Sequence, residues 1–122
     1  VSMDDGRRVE AAVRALEPET GGVTIRVEGG VRVAPLERTP RNRELWTTAQ
    51  AIALELGLTL GDAMAGGGSD GNTTSLYTAT LDGLGCVGDG AHADHEHIAI
   101  EPSLDRCALL ARLLLTPAAD SA

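Results

Sequence analysis

The chain has 122 residues, 43% of them apolar, and a formal net charge of −8. That is one domain's length, and the acidic balance excludes the basic stripe that nucleic-acid binding requires. Aromatic residues are only 2% and glycines number 15, so a core of Leu, Val, Ile and Ala is expected to be marginal by itself.

All ten basic residues are Arg, which carries no functional weight here. Two cysteines, Cys86 and Cys107, do not make a disulfide framework. The first residues, Val1-Ser2-Met3-Asp4-Asp5, lack the basic region and apolar run of a signal peptide, and no apolar stretch approaches membrane-spanning length. A soluble, cytoplasmic protein with no membrane partner is expected. The opening residues fall mid-pattern, so the chain reads as a piece of something longer.

In chain order, Asp4 or Asp5 is expected to cap a helix reaching about Leu16, with Val9, Ala12, Val13 and Leu16 as its apolar stripe. Arg7, Arg8, Glu10 and Arg14 take its outer face, and Pro18 with Gly21-Gly22 stops it. Val23, Ile25 and Val27 alternate with polar residues as in a half-buried strand, which Gly29-Gly30 interrupts before Val31 to Val33 continues it. A lone helix and strand cannot close a core, so this unit lacks partners.

Pro35 to Pro40 is a connector. Asn42 to Leu56 carries the longest helical pattern, with Leu45, Ala49, Ile52, Ala53 and Leu56 on one face and Gly57 as its C′ glycine. Leu58 to Ala65 reads as a short strand. Then come a helix from about Ser69 to Tyr77, a strand near Leu81, a loop through Gly90 and a strand Glu96 to Ile100. Pro102 is expected at the first position of a last helix striped by Leu104, Ala108, Ala111 and Leu115, and residues from Thr116 onward fray. The alternation from Asn42 onward predicts an α/β body.

Chemistry concentrates between Gly66 and His97. Gly66-Gly67-Gly68-Ser69-Asp70-Gly71-Asn72 is a glycine-rich turn entering a helix, where free backbone N–H groups and a dipole end attract an anion. It lacks Gly-Lys-Ser/Thr and G-x-G-x-x-G, so it is weak support for a phosphate site. Asp70 caps that helix or touches a ligand, capping being the commoner use. Asp89, His92, Asp94, His95, Glu96 and His97 supply metal-ligand or proton-transfer groups. His95 and His97, two apart, share a side of the expected strand, though solvated histidines at a loop edge are common. Cys86 and Cys107 read as packed small hydrophobes, and Trp46 and Tyr77 as core or interface aromatics.

Three ordered stretches, Gly66 to Asn72, Thr80-Leu81-Asp82-Gly83-Leu84-Gly85 and Gly90-Ala91-His92-Ala93-Asp94-His95-Glu96-His97, resemble the C-terminal third of the M20 zinc metallopeptidases. These are the glutamate carboxypeptidase, aminoacylase and succinyl-diaminopimelate desuccinylase type of enzyme, and the resemblance covers nearly the whole chain. It implies an α/β fold in which residues 1–36 are the last helix and strand of a lid (dimerisation) domain. Residues 37–122 are then the C-terminal half-sheet and helices of the catalytic domain. It further implies two Zn²⁺ per complete site, with His92 the one ligand matched in this chain and Glu96 either orienting an imidazole or serving as a surface acid. The loop of Gly67, Gly68, Ser69 and Asn72 would face the carboxylate of an N-acyl amino acid or small peptide, whose amide a metal-activated water would hydrolyse. A homodimer through the lid is implied as well.

The family's His-x-Asp motif, bridging aspartate, glutamate pair and remaining acidic ligand have no counterpart here, and Val33-Ala34-Pro35 stands where an arginine commonly precedes the proline. The isolated chain is therefore expected to be inactive. The competing expectation is a non-enzymatic binding or dimerisation module that pairs through the edge of Val23 to Val33.

Overall fold

The computed structural model describes residues 1–117. Four helices, α1 (Met3–Arg14), α2 (Pro40–Glu55), α3 (Asp70–Thr74) and α4 (Ile100–Leu115), accompany two strands, β1 (Gly88–Asp89) and β2 (His97–Ile98). The two strands pair antiparallel, Gly88 opposite Ile98 and Asp89 opposite His97. The described chain is mainly helical. Of the strands expected from the sequence, only the last is realised in part, and its partner β1 falls inside the expected loop.

Ser2 caps α1, in place of Asp4 or Asp5. Its hydroxyl accepts from the Asp5 N–H while the Asp5 carboxylate accepts from the Ser2 N–H at 2.9 Å, which satisfies two end donors reciprocally. The apolar stripe is uncovered: Val9 and Leu16 are each 59% exposed, and no residue of α1 is buried. A different face of the helix holds the following chain. The Glu10 carboxylate accepts from the Val31 N–H at 3.3 Å, and Arg14 bonds both Glu10 and the Gly29 carbonyl. The Met3 N–H donates to Glu37 at 2.7 Å and ties the start of α1 to the connector.

That attachment explains why residues 23–33 do not form a strand. Alternation favours an extended backbone, but a ladder needs a second edge to take its N–H and C=O groups. Among the described residues none is supplied, and the side chains of α1 take two of those groups instead. Val23, Ile25, Val31 and Val33 are left exposed.

α2 follows its pattern closely. Thr39 caps it, accepting from the Asn42 N–H at 3.3 Å, and Pro40 occupies the first turn, where an N–H has no helical partner. Its C-terminus closes with Gly57 at φ 73°, Gly57 N–H donating to Leu54 and Leu58 N–H to Ala53. This is the Schellman arrangement, which needs a left-handed residue at that point. Ala49, Ile52 and Ala53 are buried, and Ile52 and Ala53 pack against Leu109 of α4 with Leu56, Leu58, Leu60, Leu84 and Leu113 around them. Leu58 and Leu60 reach this core from an irregular segment and not from a strand.

α4 presents a different face from the one expected. Leu109 is fully buried and Leu113 partly so, whereas Leu104 and Leu115 are exposed. Its rotation is set by α2, whose Ile52–Ala53 surface receives Leu109 and whose Glu55 pairs with Arg112 at 2.6 Å. Pro102 sits at the third helical position, because Ala99 is the N-cap and Ile100 the first helical residue. It is tolerated there because the first-turn N–H groups lack intrahelical acceptors. No helix of the described residues is long and apolar enough to cross a membrane.

Candidate functional site

The glycine-rich turn is built around α3. Ser69 caps it, its hydroxyl accepting from the Gly71 N–H at 3.1 Å, and the Asn72 side-chain oxygen accepts from the Ser69 N–H at 2.8 Å. Ser69 also donates to Asp82 at 2.5 Å, and the Asn72 amide donates to the Ala34 carbonyl at 2.8 Å. The two side chains assigned to a substrate carboxylate are thus brought together, but each is engaged in closing the turn. The N–H groups of Ser69, Gly71 and Asn72 are likewise taken, the last by the Ser69 carbonyl at 3.1 Å. What remains open to an anion is the exposed backbone of Gly66, Gly67 and Gly68. Asp70 lies in the first turn of α3, and winding continues past Thr74 as short-range turns to Thr78.

Two residues that the sequence reading did not single out hold the ends of α3, Asp82 at its N-cap and Asn42 at its C-cap. Asp82 accepts from Ser69 and from the Gly83 N–H, and the Ser69 hydroxyl foremost holds its carboxyl below the ordinary value of 3.8. Asn42 is 5% exposed. Its amide donates to the Glu37 carbonyl and to Ser75 Oγ, both at 2.8 Å, while its oxygen accepts from the Thr80 N–H at 2.9 Å. Asp-Gly at 82–83 is a turn signal that was legible in sequence. Asn42 gave no such signal, because a polar residue in the first turn of a helix ordinarily faces water.

The histidines lie on the hairpin between β1 and β2. Gly88 must be glycine, since a Cβ there would stand 2.0 Å from the His97 carbonyl oxygen. The hairpin is moored to α4: the Ala99 N–H donates to the Val87 carbonyl at 2.8 Å, the Val87 N–H to Ser103 Oγ at 3.1 Å, and Ser103 to the Ala99 carbonyl at 2.7 Å. In the hairpin loop the Ala93 N–H donates to the Gly90 carbonyl at 2.8 Å, closing a turn whose third residue is His92. His92 has φ 67°, the one positive-φ residue other than glycine among those described. Glycine or asparagine usually fills that position of a type II turn.

The exposed His92 imidazole has no hydrogen-bond partner among the described residues. His95 and His97 are not a pair along one strand. His95 belongs to the loop, and His97 Nδ1 donates to the His95 carbonyl at 3.1 Å, which fixes the proton on Nδ1. A shallow concavity of about 250 Å³ lies beside the hairpin, with Cys86, Asp89, Glu96 and His97 in its lining. His92 and the glycine-rich turn are absent from that lining. Cys86 and Cys107 are both exposed free thiols and not packed, and Tyr77 is exposed too.

Among the described residues no three His, Cys, Asp or Glu side chains gather so that they could hold a metal ion. Zinc sites need three or four protein ligands. The described residues therefore do not by themselves make a zinc centre, and His92 offers one ligand at most. Compared with known proteins, the chain matches no family model, no curated protein and no solved structure.

Proposed function

We propose that this chain is one part of an M20-type amidohydrolase acting on N-acyl amino acids or small peptides. In that reading residues 1–36 belong to a lid and residues 37–122 to the returning half of an α/β catalytic domain. His92 is the observation that carries the proposal. It sits at a turn tip in a backbone conformation unfavourable to a side-chain-bearing residue, with its imidazole exposed and uncommitted. A ligand to a centre completed by residues outside the chain would present itself in this way. The exposed backbone of Gly66–Gly68 supplies N–H groups suited to a carboxylate, and Ser69 and Asn72 shape that turn.

The test is hydrolysis of N-acyl amino acids by the protein encoded by the whole reading frame, wild type against His92→Ala. Loss of both turnover and bound metal in the variant, with folding retained, supports the reading. Turnover that survives His92→Ala overturns it.

A second reading, a non-enzymatic dimerisation module, is favoured by one observation: Val9 and Val13 of α1, Leu16 just beyond it, and Val23, Ile25, Val31 and Val33 of the irregular segment that follows are all exposed apolar side chains. Sedimentation equilibrium decides it. Dimers that dissociate in Val13→Glu support a self-association face, whereas a monomer across the accessible concentration range removes it.

A further inference from the structure

We draw no further inference here: the strongest candidate, the exposed apolar face of α4 formed by Ile100, Leu104 and Leu115, is an unpartnered helix face, and nothing in the structure shows what covers it.

Discussion

At His92 the backbone and the side chain make opposing demands. A left-handed conformation costs a Cβ-bearing residue roughly 1–2 kcal/mol, and His92 adopts it at φ 67°. His92→Gly is therefore expected to raise stability by about 1 kcal/mol, and a β-branched residue such as Val to lower it. Urea denaturation midpoints measure both. A gain in stability together with loss of activity in the complete protein would show that the imidazole, and not the turn, is what the position serves. Asn42 is the opposite case, a polar side chain whose every hydrogen-bonding group is used inside the fold. Asn42→Ala leaves the Thr80 N–H and the buried Ser75 hydroxyl without their partner, and a loss of about 2–4 kcal/mol is expected. Far-UV circular dichroism against urea would check it, and an unchanged midpoint would mean that water replaces the amide at no cost.

Among the longer helices, α1 is held by polar contacts and has no buried residue. Glu10 grips residues 29–31 through Arg14 and the Val31 N–H, and the Arg14 guanidinium foremost keeps its carboxyl below the ordinary 4.5. Asp5 is lowered from 3.8, chiefly by the Ser2 N–H in the capping box. The sign follows from which state binds the proton more weakly. A carboxyl with a lower pKa in the folded chain contributes fully above its unfolded pKa, and that contribution is lost as pH falls through the lower folded value. Attachment of residues 29–31 to α1 should accordingly be complete at neutral pH and weaken below about pH 4.5. The protection factor of the Val31 amide, followed by hydrogen exchange, should fall across that range. Glu10→Gln should lower it at neutral pH and abolish the acid step. An acid step that persists in the variant would assign the effect to another carboxyl. The Ser69–Asp82 contact carries the same sign, with its loss displaced below pH 3.8.

For the whole molecule, the packed core is small and lies between α2 and α4. Leu109 is its one large side chain with no exposure, set against Ile52 and Ala53. Leu109→Ala removes it at an expected cost of roughly 2–5 kcal/mol, comparable with the entire stability of a small domain. Loss of a cooperative thermal transition is the predicted outcome. Leu104→Ala on the exposed side of the same helix should leave the transition nearly unchanged, and equal effects at the two positions would contradict the observed rotation of α4. Exposed Leu54, Leu114, Leu115 and Ile100 add to the open face of α1. This distribution accords with the low-aromatic composition, in which few side chains bury enough area to organise a second layer.

Local signals determined the ends of α2 and the opening of α3. Thr39-Pro40 and Gly57 bound α2, the apolar face of α2 follows a period near 3.6, and Ser69 with Asn72 opens α3. Each depends on bonds spanning only a few residues, so a sequence window holds the whole cause. Three things lay beyond that window. Residues 23–33 carry a strand pattern, but a ladder requires a second edge, and the side chains of Glu10 and Arg14 took its backbone groups instead. α4 is apolar on more than one side, so periodicity named Leu104 and Leu115 while packing against α2 chose Leu109 and Leu113. His92, Ser69 and Asn72 were legible as residue types at motif spacing. Only the tertiary structure decided that Ser69 is also engaged by Asp82 and Asn72 by the Ala34 carbonyl while the His92 imidazole stays exposed and uncommitted, because a side chain's availability depends on what the rest of the chain brings to it.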